Sequence, residues 1–419
     1  MKTRGLPQDF AERAFRHIVY LAGLGTRVAG TENEAQAVAY VRQRLAELGI
    51  PVVVEPFEFE TFEIADVDFE IGGKTYTPTL IGFNPYDGVS TFSGRATLLD
   101  PQAPDEAYEQ PAIHDAVIVT AAPVDYFRLV FQQPRLIVFV HTADYADIRA
   151  QTDDHFTLRV QGKLVKRQSA NVIGQVVPRA GADAEIIVSA HLDAYGNSPG
   201  ALDNGSGVGV LLELARYFKA LEDEITCRLN LIAFGAEELG ILGSRVYVES
   251  HPDDLKRCAL AFNLDQVGGD SRPDIEMLGG VKGMPAEKGQ SQFPVQIKNR
   301  ALDGQQNNWK IIANPDLIAA WMASNHPGWL LEIIQESATA LGIEIEPTGN
   351  MGSDQQAFSQ AGVVATGIGT GGNRRHSPED TPDQIHTHSL EKVGRIVVAV
   401  VMKTMQRLAG GKDANSALR

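Results

Sequence analysis

The stretch LIAFGAEELGILGS, residues 231–244, places two glutamates, Glu237 and Glu238, directly after an apolar run. The run suits a buried strand, and a buried strand is an unfavourable place to end with two adjacent negative charges. One interpretation is the start of a helix, where acidic side chains gain from the helix dipole. Carboxylates also bind metal ions and transfer protons, so the rest of the chain has to decide between the interpretations.

Imidazoles and carboxylates also follow other apolar stretches of the sequence. They stand after EIIVSA (His191, Asp193 and Asp203), after ALAFNL (Asp265) and after VVATGIGTGG (His376 and Asp380). Strand ends that deliver such charges to one rim repel one another unless a multivalent cation binds there. Imidazole nitrogen mixed with carboxylate oxygen suits zinc, with cobalt or manganese as alternatives. The sequence therefore predicts a divalent metal site.

The stretches that carry these residues alternate with helical patterns from about residue 168 onward. AEIIVSA, RLNLIAF, CALAFNL and VVATGIG are predicted strands, and SGVGVLLELARYF is a predicted helix with Ser206 as its N-cap. This alternation favours an α/β fold of three layers, in which a mixed, largely parallel sheet has helices on both faces. Ligands of such sheets bind at the carboxyl ends of the strands.

Two further helices are predicted near the start of the chain. Residues 8–23 and 31–49 show apolar residues at helical spacing. Thr31 and Glu34 form a capping box at the start of the second helix, and Gly49 is placed to end it.

A β-rich segment is predicted from about residue 57 to 164. Gly72-Gly73 indicates a hairpin, and DAVIVTA and PRLIVFVHTA are further short strands. No catalytic constellation is visible in it, because its histidines are too scattered to be ligands: His114, His141 and His155.

The composition of the 419 residues is that of a globular protein, with 43% apolar and 21% charged residues. A formal net charge of −16 argues against nucleic acid or an anionic membrane as a partner and suits a protein that binds cations. Cys227 and Cys258 are expected to be buried core residues. The first residues lack the apolar core of a signal peptide, and no stretch is long enough to span a membrane, so we expect a soluble, cytoplasmic protein.

Five motifs resemble those of the di-zinc aminopeptidases of metallopeptidase clan MH, a family that includes glutamate carboxypeptidases. They are HLDAYGNSPGALDNGSGVGVLLELA, FGAEELGILGS, NLDQVGG, SDQQAF and HSPEDT. The resemblance covers residues 8–56 and roughly 165–405. It implies a discontinuous catalytic domain, residues 1–56 and 165–410, and a β-rich insertion, residues 57–164, that is similar to a protease-associated domain. The last residues, 411–419, are predicted from their own sequence to be a flexible tail.

The resemblance also implies the roles of the metal ligands. Asp203 would bridge two divalent metal ions, most simply Zn²⁺. His191 and Asp265 would complete the ligands of one ion, and Glu238 and His376 those of the other.

Further roles follow from the same resemblance. Glu237 would be the general base, so the two adjacent glutamates would do different work. Asp193 would orient the imidazole of His191 through a hydrogen bond. The peptide bond between Asp203 and Asn204 would be cis.

Around His376 and in SDQQAF the chain departs from the family pattern. Arg375 and Ser377 flank the histidine where relatives usually have tyrosine and threonine. Which side chain, besides the metal ions, would stabilise the oxyanion formed from the substrate carbonyl is therefore left open. Arg374 or Arg375 could contribute there or pair with a substrate carboxylate. Gln355 stands where relatives often have histidine, which indicates an altered pocket wall.

Two other features bear on the site. His386 and His388 are a rival pair to His376 and are predicted to lie on the surface. The irregular segment 270–330 is a candidate pocket wall or oligomer contact. Apolar lining or core packing is possible for the tryptophans: Trp309, Trp321 and Trp329.

The sequence therefore predicts a binuclear zinc exopeptidase, an aminopeptidase that removes N-terminal residues from short peptides and possibly forms homo-oligomers. Within the same chemistry, the alternative is a carboxypeptidase or dipeptidase. Outside it, a non-catalytic receptor-like module and a single-zinc glutaminyl cyclase-like transferase are the rivals. The first would have lost ligands, and the second would not need both His191 and Asp265.

Overall fold

The computed structural model describes residues 5–78, 80–82, 88–98, 117–120, 136–178, 182–269, 317–322, 327–348, 353–371 and 374–410. Its helices are α1 (Phe10–Gly23), α2 (Glu32–Glu47), α3 (Thr142–Arg149), α4 (Gly207–Lys219), α5 (Leu242–Ser250), α6 (Pro252–Leu255), α7 (Gly328–Leu341), α8 (Gln355–Gln360) and α9 (Thr387–Ala409). Short irregular turns lie at Ala201–Ser206 and Pro382–Gln384.

The strands are β1 (Val52–Ile71), β2 (Lys74–Tyr76), β3 (Leu80–Gly82), β4 (Gly88–Arg95), β5 (Thr97–Leu98), β6 (Val117–Thr120), β7 (Leu136–Phe139), β8 (His155–Val176), β9 (Glu185–His191), β10 (Arg228–Phe234), β11 (Cys258–Leu264), β12 (Leu317–Met322), β13 (Glu344–Thr348) and β14 (Ala365–Gly369).

Ten strands form the main sheet, in the order β13-β12-β14-β11-β9-β10-β8-β1-β2, with β4 also paired to β8. The four central strands β14, β11, β9 and β10 are parallel. Outside them, β12 and β8 run antiparallel to their inner neighbours. The mixed, largely parallel sheet expected from the sequence is confirmed.

Helices cover both faces of this sheet because the central strands bury both sets of alternating side chains. On β9, Ile186 and Val188 face a large core shared with α1, α4 and α9, while Ile187 faces a smaller core with Phe234 and Phe358. The three-layer architecture is therefore confirmed. Both cysteines are buried and free, as expected. None of the helices described has the length and hydropathy needed to cross a membrane.

The capping of α2 is confirmed, with a difference in detail. The Thr31 hydroxyl accepts a hydrogen bond from the Glu34 amide at 3.5 Å. The Glu34 carboxylate accepts the amide of Gly30, at 2.6 Å, where a capping box would use the amide of Thr31. Gly49 follows the helix with a φ of +70°, a conformation that glycine adopts at low cost.

Ser206 occupies the predicted N-cap position of α4, but its side chain makes no capping hydrogen bond to the helix. Ser206 precedes the helix, but its hydroxyl donates to the carbonyl of Leu202 at 2.6 Å and accepts the amide of Val267 at 2.9 Å. The side chain of Asn204 instead accepts the amide of Gly207 at 2.9 Å. The hydroxyl of Ser206 therefore bonds to neighbouring loops, and the side chain that accepts an amide at the helix start is Asn204, two residues earlier.

Strands β1 and β8 are long and pair with each other along nearly their full length. The hairpin at Gly72-Gly73 is confirmed, since Ile71 pairs with Lys74 and both glycines have positive φ. A separate sheet has the order β3-β7-β6-β5. The predicted domain bounds at 57 and 164 fall within β1 and β8, and the division into domains stays a prediction.

Several predictions concern residues outside the described ranges or side chains. His114, Trp309, residues 411–419 and most of the segment 270–330 lie outside the described residues. The side chain of Trp321 is also outside the description. Trp329 is 7% exposed and belongs to the large core, so core packing is its role.

Candidate metal centre

Four neighbouring strands bring the predicted site residues to one edge of the sheet. His191 is the last residue of β9, Glu237 and Glu238 follow β10, and Asp265 follows β11. His376 lies in the loop after β14. Because these strands are parallel, their carboxyl ends meet at the same edge.

The side chains at this edge form two sets of donors that share Asp203. In the first, His191 Nε2 lies 3.1 Å from Asp203 Oδ1 and 3.5 Å from Asp265 Oδ1. In the second, His376 Nε2 lies 3.0 Å from Asp203 Oδ2 and 3.2 Å from Glu238 Oε1. The structure thus brings together all five residues that the sequence singled out as metal ligands.

These donor sets fit divalent metal ions. Donors on a tetrahedral zinc at about 2.1 Å lie about 3.4 Å from one another, close to the observed separations. Ligand atoms of His191, Asp203 and Glu238 all lie within 4.8 Å of one another. Neither ring nitrogen of His191 and neither Glu238 Oε1 nor Asp265 Oδ1 has a hydrogen-bond partner of good geometry, although all are buried. Buried polar atoms of this kind require a partner, and a cation supplies one.

Electrostatics at the centre show a surplus of carboxylates. Burial raises the pKa of Glu238 to about 7. Burial lowers the pKa of His376, but the neighbouring Glu238 and Asp203 outweigh it and raise this pKa to about 10. Burial likewise opposes ionisation of Asp203, and the adjacent imidazoles of His191 and His376 nevertheless hold its pKa below the ordinary value. Without a cation, protons on the imidazoles compensate the carboxylates, so protonation and metal binding compete.

Asp193 contacts more groups of the centre than the sequence predicted. It is fully buried, and His191 Nδ1 lies 3.5 Å from its Oδ1. Its Oδ1 also accepts the amide of Glu237, and its Oδ2 accepts the amide of Glu238, each at 3.0 Å. One carboxylate thus holds the backbone of both glutamates and lies beside the imidazole of His191.

The two glutamates lie in a tight turn and not in the first turn of a helix, since α5 begins only at Leu242. Ala236 precedes them with a φ of +54°, which is unusual for a residue with a side chain. Gly235 is packed so closely that a Cβ there would lie 2.1 Å from Ser169 Oγ and 2.9 Å from Glu34 Oε1. The helix-start interpretation of the pair is therefore excluded.

Burial makes the carboxyl group of Glu237 difficult to ionise. The side chain is 8% exposed, and burial raises its pKa well above the ordinary value. The charge of His191 lowers this pKa, whereas Glu238 raises it. A carboxyl group with a raised pKa beside a metal centre suits a proton acceptor that later returns the proton.

Two residues that sequence reasoning did not assign to the centre, Gln266 and Arg27, also support it, as does Asp380, which was placed at this rim without a role. Gln266 has a φ of +55°, and its Nε2 donates to Asp203 Oδ2 at 3.0 Å. Arg27 is fully buried and donates to the carbonyls of three loop residues, at 3.0 Å for Leu192, 2.6 Å for Pro199 and 2.9 Å for Gly200. Asp380 accepts the amides of Leu202 and Asp203 at 2.6 and 3.1 Å. Asp380 stands in the motif HSPEDT, and Arg27 lies within residues 8–56, which the resemblance covers, but a single sequence does not show which backbone groups they contact.

Of the other histidines considered in the sequence analysis, those within the described residues are exposed. His386 and His388 are exposed, as predicted. His141 is exposed as well, and His155 forms an exposed group with Asp153 and Asp154.

One other predicted feature of the site is present. The peptide bond between Asp203 and Asn204 is cis. Gln355 and Arg375 are buried, at 1% and 5% exposure.

Comparison with known proteins agrees with this arrangement. Residues 171–309 match the model of Peptidase family M28. The chain is 30% identical over 261 residues to the aminopeptidase YwaD of Bacillus subtilis, covering 60% of this chain and 48% of that protein. It is 28% identical over 311 residues to LpqL of Mycobacterium tuberculosis, described as a probable lipoprotein aminopeptidase, covering 64% of this chain and 60% of that protein. The chain therefore spans about half to three fifths of the length of these curated relatives.

A solved structure shares the fold over nearly the full chain. BSAP, a zinc aminopeptidase from Bacillus subtilis, matches with a TM-score of 0.63 at 22% sequence identity, covering 96% of both chains. At this identity the likeness establishes the fold. Together with the family match and the aminopeptidase relatives, it confirms the resemblance on which the site assignment was based. A protease-associated domain is not established by these comparisons.

Proposed function

We propose that this chain, part of which matches peptidase family M28, is a zinc-dependent aminopeptidase whose site holds two metal ions. The observation that supports this most is the pair of donor sets. Each set contains one imidazole, one carboxylate that the other set does not use, and one oxygen of the shared Asp203. A single carboxylate with an imidazole on each of its oxygens is suited to bridging two cations.

The residues would divide the work as follows. His191 and Asp265 would hold one ion, Glu238 and His376 the other, and Asp203 both. When bound, such ions supply Lewis acidity that polarises a peptide carbonyl and lowers the pKa of water. Glu237 would accept a proton from the attacking water and deliver it to the departing amine. Asp193 would fix the relative positions of the base Glu237 and the ligand Glu238, because its two oxygens accept the backbone amides of these two residues.

The relatives favour an aminopeptidase over a carboxypeptidase, since two similar curated proteins and a solved structure of the same fold are described as aminopeptidases. The arginines next to His376 are the feature that would favour a substrate carboxylate. Arg375 is only 5% exposed, which leaves Arg374 as the more accessible of the two.

Hydrolysis of two substrate types tests the proposal. Purified protein would be stripped with a chelator, reloaded with zinc, and offered aminoacyl-4-nitroanilides and N-blocked dipeptides. We expect cleavage of the anilides, loss of that cleavage on chelation, and its return on addition of zinc. Cleavage of the blocked dipeptides alone would favour the carboxypeptidase. Failure to cleave either substrate with zinc, cobalt or manganese would contradict the enzymatic proposal.

A further inference from the structure

The ring of Tyr195 stacks face to face on the imidazole of His376. The ring centroids are 4.4 Å apart and the ring planes differ by 7°. His376 is 5% exposed and Tyr195 is half-buried. The tyrosine therefore covers one face of the imidazole that carries the second donor set.

The two imidazoles of the centre have different structural support. His191 ends a central strand that is paired with a neighbour on each side, and its Nδ1 lies 3.5 Å from Asp193. His376 lies in a loop after β14, and its φ of +59° is a conformation that side-chain-bearing residues rarely adopt. A loop residue in such a conformation needs surrounding contacts to keep it in place.

The loop that carries Tyr195 is well placed to supply such a contact. The amide of Ser198 donates to the carbonyl of Tyr195 at 2.9 Å. Arg27 fixes both ends of this loop through the carbonyls of Leu192 and Gly200. The ring is thus presented from a backbone that is held on both sides.

A second connection joins the same two loops. Asp380, four residues after His376, accepts the amides of Leu202 and Asp203 through its carboxylate. Its carbonyl accepts the amide of Ala201 at 3.1 Å. The loop of His376 is therefore fixed beyond the histidine by Asp380, and at the histidine itself by the ring of Tyr195.

We propose that Tyr195 is a positioning residue of the metal centre. Its ring limits rotation of the His376 imidazole and so keeps Nε2 at 3.0 Å from Asp203 and 3.2 Å from Glu238. The contact is made by the face of the aromatic ring, so a phenylalanine at this position should keep the function of the tyrosine. The inference rests on the proposed metal-dependent function, because it concerns a ligand of that centre.

The test compares ring-retaining and ring-removing variants of the full chain. Tyr195→Phe keeps the stack, and Tyr195→Leu and Tyr195→Met remove it. Tyr20→Leu is a matched control, because Tyr20 also stacks face to face, on Tyr40 at 3.9 Å, and is 46% exposed on α1. Zinc affinity would be measured by competition with a chelator, and ligand geometry by the visible absorption bands of the cobalt-substituted protein. Thermal melting of the metal-free variants would report folding.

We expect Tyr195→Leu and Tyr195→Met to weaken zinc at one of the two positions by about 10-fold and to shift the cobalt bands, since residues that orient metal ligands typically contribute at least that much. Tyr195→Phe and Tyr20→Leu should stay within about 2-fold of the unsubstituted protein, the scatter of ordinary surface changes.

Four outcomes would overturn the inference. The leucine and methionine variants could keep both affinity and spectrum, or Tyr195→Phe could lose as much as they do, which would make the hydroxyl the active part. If both ring-removing variants failed to fold, the ring would serve the fold and not the ligand. If the unsubstituted protein bound no metal, the proposed function would fail together with the inference, which distinguishes that case from the other three.

Discussion

Replacing Asp193 with asparagine should impair catalysis through the backbone of two other residues. The carboxylate accepts the amides of Glu237 and Glu238, each at 3.0 Å, from a fully buried position. An asparagine offers one carbonyl oxygen, so one amide loses a charge-assisted hydrogen bond, about 1.5–3 kcal/mol, and is left buried without an acceptor, about 1–3 kcal/mol. These two contributions overlap. We therefore take about 2–4 kcal/mol as the free energy that the substitution removes from the turn containing Glu237 and Glu238. At 1.36 kcal/mol per factor of ten, kcat/KM should fall about 30- to 1,000-fold.

The assay would follow hydrolysis of leucine 4-nitroanilide in saturating zinc, with zinc content measured on the same sample. Glu185→Gln is a matched control, since it also changes a buried carboxyl group to an amide. It lies at the opposite end of β9 from His191, about 20 Å away for a strand of this length. We expect the control to keep activity within about 2-fold, as for changes remote from a site. An Asp193→Asn variant with full zinc content and nearly unchanged kcat/KM would refute the reasoning.

Three other substitutions give separate predictions. Glu237→Gln should keep its metal and lose turnover by about 100- to 10,000-fold, the usual contribution of a general base; metal analysis beside the anilide assay checks this, and activity above a tenth of normal would contradict it. Asp203→Asn should lose metal as well as activity, because both donor sets use its carboxylate; unchanged zinc content on dialysis would contradict it. Burial, followed by the charge of Asp254, raises the pKa of Glu185 to about 7 from 4.5. Protonation therefore stabilises the folded state, a contribution present below pH about 4.5 that is lost as pH rises through 7, at most about 3 kcal/mol. Glu185→Gln should lack this part of the pH dependence of denaturant unfolding between pH 5 and 8, and an unaltered slope would contradict the assignment.

Much of the centre could be predicted from the sequence because its donors follow apolar strands. His191, Glu238 and Asp265 each stand at or just after such a stretch, and parallel strands bring their ends to one edge. Which carboxylate pairs with which imidazole was not deducible from spacing and came from the family resemblance. The distances then separate the donors into the same two sets.

The remaining residues that hold the metal ligands in place could not be predicted, because they act through contacts between loops that leave no recognisable pattern in a single sequence. Ser206 has the residue type and position of an N-cap, but a carbonyl and an amide of neighbouring loops bind its hydroxyl instead. Gln266 and Tyr195 look ordinary in the sequence, and their roles appear only when the fold places them against Asp203 and His376. Arg27 likewise donates to backbone carbonyls, which carry no signature in the sequence.

Locating zinc directly tests the central claim, that loops from separate strands converge to bind two ions. Crystals of the zinc-loaded protein would be measured at the zinc absorption edge to obtain an anomalous difference map. We predict two peaks on either side of Asp203, each about 2.1 Å from one imidazole nitrogen, His191 Nε2 or His376 Nε2. A map without peaks at this edge of the sheet, or with the five side chains pointing apart, would contradict the account.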